Sequence, residues 1–230
     1  MLSLTQVEVD ALLLSLRIAA VAVLLSLPLA FACAYLLARG RFPGRLLLDG
    51  LVHLPLVLPP VVMGYLLLVL FGTKGPIGGW LLETFNFRLI FNWTGAALAA
   101  GIVTFPFQVR AIRLALEAID PGLEVAAETL GAGWFDRLLG ITLPLSLPGV
   151  VAGAITAFAA ALGEFGAIIT FVSNIPGETR TLPLAIYTAL QSPGGEQAAA
   201  RLAALSIILA LAGLLLSEIV ARRLRRRMGR

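Results

Sequence analysis

Residues 124–144 read Glu124-Val-Ala-Ala-Glu-Thr-Leu-Gly131-Ala-Gly-Trp134-Phe-Asp-Arg-Leu-Leu-Gly-Ile141-Thr-Leu143-Pro144. The stretch lies between two long apolar runs, yet it is not a plain polar linker. Asp120, just ahead of it, is a good N-cap, and Pro121 suits a first helical position. Leu123, Ala126, Ala127 and Leu130 then recur on one face at helical spacing. Gly131 can take the left-handed conformation that stops a helix. Trp134, Phe135, Leu138 and Leu139 form a second short apolar face, which ends at Gly140 and Pro144. The expectation is two short helices with small residues, Ala126, Ala127 and Gly131, that permit close approach of another backbone. Read from the residues alone, the segment is either a surface held by another protein or a hairpin lying on lipid.

The composition of the rest of the chain decides the solvent. Of 230 residues, 59% are hydrophobic and 13% charged, whereas soluble domains carry about 25% charged residues. Mean hydropathy is +0.96. Long uncharged apolar runs recur, so the chain reads as an all-α integral membrane protein with one membrane domain, residues 1–230, in which 120–144 is an inserted loop. The net charge of +4 does not point to nucleic acid, because six of the 17 basic residues lie at or after Arg222, beside the last apolar run. There they read as a topology signal and a contact for anionic lipid. One cysteine, Cys33, and one histidine, His53, leave no disulfide and no metal centre to build. The N-terminus carries Glu8 and Asp10 in place of a basic region, so no cleaved signal is expected.

Five spans follow, near residues 18–38, 51–71, 95–109 (continuing past the membrane to 119), 149–172 and 203–220. Pro28, Pro55, Pro59, Pro60 and Pro106 interrupt them and predict kinks. With the N-terminus outside, the inner segments hold Arg39, Arg41, Arg45, Arg110, Arg113, Arg137 and the six arginines from Arg222 on. The outer segments keep Arg17, Lys74, Arg88, Arg180 and Arg201. This excess inside gives N-out, C-in, and places 120–144 in the cytoplasm. The outer loop 72–93 carries an aromatic belt, and 173–200 holds a short helix near 184–190.

The spacing Ala126-Ala127, Gly131, Ile141, Leu143-Pro144 resembles the EAA motif of ABC importer permeases. It departs in one place: the motif's glutamate register falls on Val125, and the glutamate stands one position earlier, at Glu124. Three further segments, 53–65 from His53 to Tyr65, 110–117 from Arg110 to Glu117, and 162–183 with Leu162-Gly-Glu-Phe-Gly-Ala167 and the run Ser173–Pro183, resemble the molybdate permeases of that family. The resemblance covers nearly the whole chain. It implies the type I ABC importer permease architecture, with a cytoplasmic coupling helix seated on an ATP-binding subunit through Glu124, Ala126, Ala127, Gly131, Ile141, Leu143 and Pro144. It also implies a homodimer, two ATP-binding subunits, a periplasmic or lipid-anchored molybdate-binding protein, and residence in the cell inner membrane. Sulfate, thiosulfate and tungstate are the neighbouring substrates.

No P-loop is present: Gly72-Thr-Lys-Gly75 lacks the spacing and falls on the outer side. The chain therefore reads as a non-enzyme without catalytic residues or cofactor of its own, with ATP and magnesium held by the partner. An oxyanion must still cross ~30 Å of hydrocarbon, and no Lys or Arg lies deep in a span. Hydroxyls and amides can stabilise an anion without trapping it, which makes Thr104, Gln108, Thr156, Thr170, Ser173 and Asn174 candidates for the path; each can equally bond its own helix. Glu164 is the one acidic residue within a span. Gly163 and Gly166 on either side of it suggest a broken or tightly packed helix, so it is read as a structural or gate-supporting group. Gly149 and Gly153 form a GxxxG pair that fits close helix packing, within the subunit or across a dimer. A secondary anion transporter would need no docking loop and usually shows internal repeats. A membrane enzyme would need more reactive groups than these spans contain.

Overall fold

The computed structural model describes residues 5–227. Among these there are helices and connecting loops only: α1 (Gln6–Arg39), α2 (Arg45–Val57), α3 (Pro60–Phe71), α4 (Pro76–Phe85), α5 (Trp93–Glu117), α6 (Pro121–Thr129), α7 (Trp134–Arg137), a π-turn (Leu138–Thr142), α8 (Leu143–Leu162), α9 (Gly166–Val172), α10 (Leu182–Leu190) and α11 (Glu196–Arg227). Among the described residues four helical stretches are long and apolar enough to cross a bilayer, or five if the bent pair α2–α3 is one crossing. The side chains of the arginines from Arg222 on, read above as an anchor, lie outside the described residues.

Helix α5 is the axis of the molecule. Its Ala96, Ala97, Ala99, Ala100 and Gly101 are buried, and these small residues let α1 approach through Ile18, Ala19 and Ala22. On its other side, α8 docks through Gly149 and Gly153. A Cβ on Gly149 would lie 2.8 Å from the Ala111 carbonyl, and one on Gly153 3.2 Å from that of Gln108. The GxxxG pair thus serves packing inside the subunit, where dispersion between close backbones replaces the missing hydrophobic drive.

Span boundaries differ from the sequence reading for identifiable reasons. Helix α1 begins twelve residues earlier than expected, because Thr5 and Glu8 form a capping box and Glu8 also pairs with Arg201 of α11 at 2.8 Å. The span expected at 51–71 is not one rod. Its two halves, α2 and α3, meet at 116°. Leu58 and Pro59 are extended, and Pro59-Pro60 has no amide proton with which to continue the ladder. The span expected at 149–172 starts earlier, since α7, the π-turn and α8 run on without a stop. Gly140 and Pro144 do not end it. The π-turn, closed by Leu143 N–H donating to Leu138 C=O, widens the helix where the ring of Pro144 would otherwise strike a carbonyl. The same span breaks at 163–165, and α9 follows. The outer loop 72–93 contains helix α4, started by Pro76 and ended by Asn86 at φ 49°.

The two breaks meet. A Cβ on Gly166 would lie 2.6 Å from Pro60 Cβ, and one on Gly64 would lie 2.6 Å from Thr170 Cβ. The short helices α3 and α9 therefore pack as a pair beside both interruptions. Glu164 sits in this junction, nearly buried, and its Oε1 accepts the Ala167 N–H at 2.8 Å. It satisfies a donor freed by the break at the start of α9.

Charged contacts are sorted to the two ends. The outer end holds the Glu8–Arg201 pair and Arg17, whose guanidinium lies 3.7 Å over the Trp93 ring. The inner end holds Asp49, Arg113 and Glu117, with Arg113 at 3.0 Å from Asp49 and 2.8 Å from Glu117. His53 faces the same cluster, its Nδ1 2.9 Å from the Asp49 carbonyl. It lies within α2, one turn after Asp49.

Candidate functional site

The inner loop is built as its sequence dictates. Asp120 caps α6 by accepting the Gly122 N–H at 2.8 Å. At the other end Gly131 has φ 87°. Its N–H donates to Glu128 C=O at 2.9 Å, and the Ala132 N–H donates to Ala127 C=O at 3.0 Å. These two bonds are a Schellman stop, which requires a left-handed residue and hence favours glycine. Asp136 then accepts the Gly133 N–H at 3.1 Å and starts α7. Arg137 pairs with Glu128 and ties α7 back to α6.

The two faces of α6 differ. Leu130 is 89% exposed and Val125 58%, with Leu123 and Ala126 on the same open side. Phe135 is 69% exposed and Leu139 also stands open. At the inner end of a membrane protein, such an apolar, well-capped ridge is a surface made to be covered. Glu124 and Ala127 are half-buried on the opposite side. Glu124 Oε1 takes a hydrogen bond from Thr142 Oγ1 at 3.0 Å and lies 3.3 Å from the Arg39 guanidinium at the end of α1. Ile141 and Leu143 are half-buried in the run from the π-turn into α8, and Pro144 is exposed. Leu123, Val125, Ala126 and Leu130 of α6 and Phe135 of α7 are thus each exposed, whereas Glu124 and Ala127 face inward, so the single apolar face expected of Leu123, Ala126, Ala127 and Leu130 is split at Ala127.

Two anchors of this loop were missed in the sequence. Arg39 also reaches the Ile119 carbonyl, at 3.5 Å, and Trp134 Nε1 donates to Tyr35 Oη at 3.2 Å with the rings edge to face. Tyr35 and Arg39 are four residues apart on the last turns of α1. That spacing, which puts the two polar side chains of the span's inner end on one face, was the available signal.

The candidates for the path do not share one line within the chain. Thr104 is buried and donates to its own helix at Ala100 C=O, 2.8 Å away. Gln108, one turn on, is fully buried; Nε2 donates to Ser26 Oγ of α1 at 2.8 Å, and its Oε1 has no partner. Thr156 bonds Ala152 C=O on the exposed side of α8, and Thr170 bonds Gly166 C=O in α9. Ser173, at φ 68°, and Asn174 stand at the outer end, where Asn174 joins Thr188 at 2.8 Å and Arg180 at 2.9 Å. A cavity of about 720 Å³ between α1, α2 and α5 is lined by residues such as Leu25, Leu29, Leu51, Leu98 and Phe105, with hydroxyls only from Ser26 and Thr94. Its walls offer an oxyanion almost nothing.

Comparison with known proteins agrees with this layout. Residues 26–230 match the family described as binding-protein-dependent transport system inner membrane component. The chain belongs to that family. Among curated relatives, the molybdenum transport system permease protein ModB of Escherichia coli (strain K12) is 58% identical over 99% of both chains. ModB of Haemophilus influenzae is 55% identical over 96% of this chain and 97% of its own. The sulfate transport system permease protein CysT of Escherichia coli (strain K12) is 40% identical over 76% of this chain and 64% of its own. Among solved structures, a bacterial alginate ABC transporter in complex with an alginate-bound periplasmic protein superposes with TM-score 0.75 at 19% identity, covering 95% of this chain and 80% of that one. An amino acid ABC transporter gives TM-score 0.66 at 18% identity over 94% of each chain. At that identity the likeness is one of fold, and the fold is that of ABC importer permeases.

Proposed function

We propose that this chain is the membrane-spanning permease of an ATP-driven ABC importer that carries molybdate from the outer side to the cytoplasm. The observation that carries the reading is full-length identity of 58% to molybdenum permeases, together with the open apolar ridge on α6. The ridge, centred on Leu130, is the seat for an ATP-binding subunit. ATP and magnesium are bound and ATP is hydrolysed there, since this sequence has no P-loop.

The working complex pairs two copies of this chain, each over one ATP-binding subunit, in the cell inner membrane. A molybdate-binding protein docks on the outer side. Ala126, Ala127 and Gly131 shape the seated helix, and Ile141, Leu143 and Pro144 continue it into α8. The path is completed between the two copies, which agrees with the scatter of Thr104, Gln108, Thr156, Thr170, Ser173 and Asn174 within one. Glu164 supports the gate by capping the start of α9 and does not touch the anion, which its carboxylate would repel.

Sulfate is the second reading, carried by the 40% identity to a sulfate permease. Tungstate matches molybdate in charge and closely in size. The test is ATPase activity in proteoliposomes containing this chain, its ATP-binding subunit and its binding protein. Stimulation by molybdate-loaded binding protein is expected; stimulation by sulfate alone moves the chain to the sulfate branch.

A further inference from the structure

The resemblance to the EAA motif puts a glutamate on the docking helix, and the chain has it one residue out of register. A residue is a turn of about 100° on a helix, and the structure shows where that turn takes Glu124. A single carboxylate oxygen, Oε1, faces both the Arg39 guanidinium, at 3.3 Å, and Thr142 Oγ1, at 3.0 Å. Arg39 is the last residue of α1, Glu124 lies in the first turn of α6, and Thr142 closes the π-turn that opens into α8. Three elements are therefore joined at one atom. Thr142 is 2% exposed, and the side chains of Arg39 and Glu124 are 21% and 22% exposed. The contact is thus shielded from much of the screening that makes surface pairs weak.

The rest of α6 holds the protein loosely. Its other side-chain link is Glu128 to Arg137, and that one stays within the loop. The Arg39–Glu124–Thr142 cluster is the direct polar connection from α6 itself to the membrane helices, beside the Trp134–Tyr35 bond that anchors α7 to α1.

Resting on the coupling-loop reading above, we infer that Arg39, Glu124 and Thr142 form the linkage that delivers movement of the docked helix to α1 and α8, and that Glu124 is a positioning residue facing away from the ATP-binding subunit. Pull or tilt applied to the ridge at Leu130 reaches α1 through Arg39 and α8 through Thr142. A packed, hydrogen-bonded junction can pass such a displacement where a solvated loop would absorb it.

The experiment uses the full complex in proteoliposomes with Arg39→Gln, Thr142→Val and Glu124→Gln, and with Leu130→Glu as the control on the docking face. Two quantities are read: capture of the ATP-binding subunit by the permease, and molybdate imported per ATP hydrolysed. Arg39→Gln and Thr142→Val are expected to retain capture and basal ATP hydrolysis, and to lower import per ATP by about tenfold, the size of an ordinary coupling free energy. Glu124→Gln is expected to lower the same ratio, and the exchange Arg39→Glu with Glu124→Arg to recover part of it. A merely structural role would lower assembly and hydrolysis together and leave the ratio alone, so that result overturns the proposal. Glu124→Gln losing capture while Arg39→Gln keeps it would return Glu124 to the docking face and overturn it equally. The control separates the two claims: if Leu130→Glu still captures the ATP-binding subunit, the coupling-loop reading itself fails.

Discussion

Gly131 shows how much one residue can decide. Its φ of 87° closes the Schellman stop between α6 and α7, and an L-residue there meets strain of about 1 kcal/mol. A Cβ at Gly131 meets nothing within 4 Å, so the cost is conformational and not steric. Gly131→Ala is therefore expected to fold and reach the membrane while weakening ATPase capture several-fold, measured by co-purification of the two subunits. Glu164 makes the complementary case. Glu164→Gln keeps an oxygen for the Ala167 N–H and should melt within a few degrees of the parent in detergent. Glu164→Ala leaves that donor unpaired in a buried junction, at a cost of about 1–2 kcal/mol, and should lower the melting point clearly. Equal melting of the two variants would remove the capping role. Side-chain chemistry of this kind was half legible beforehand. The glycine stop follows from composition and spacing. That Thr104, Thr156 and Thr170 bond their own helices does not, because a hydroxyl's partner depends on whether a neighbour comes close enough to compete.

At the scale of elements, the sequence told where apolar runs lie but not where they bend. Pro59-Pro60 and Gly163–Gly166 are visible as interruptions, yet nothing local says that these two interruptions touch. That contact is set by Gly64 and Gly166, whose missing side chains admit Thr170 and Pro60. Helix ends misread from hydropathy have similar causes. The start of α1 is fixed by the Thr5–Glu8 box and the pair with Arg201, both polar, so a hydropathy window steps over it. The π-turn is invisible to any 3.6-residue pattern. The α5–α8 seam gives a sharp prediction at this scale. Gly153→Leu must displace Ala111 and the Gln108 backbone, and overpacking a seam of this kind costs roughly 3 kcal/mol or prevents folding. Loss of a monodisperse peak in size-exclusion chromatography is the expected result. A well-folded Gly153→Leu would show that α8 does not sit on α5 as described.

The whole molecule is a membrane protein whose charged contacts gather at two ends, and its orientation follows from the arginine bias. In a Cys33→Ala background, Lys74→Cys is expected to react with an impermeant maleimide from outside intact cells. Leu130→Cys should react only after permeabilisation, and the reverse pattern would invert the topology. Drive through the inner ridge by a separate ATPase is read out by molybdate accumulation in proteoliposomes holding this chain and its binding protein, with and without the ATP-binding subunit. ATP-dependent accumulation that requires that subunit and disappears in Leu130→Glu is the predicted result. Accumulation driven by an ion gradient in the absence of the ATP-binding subunit would contradict it and make the chain a secondary transporter.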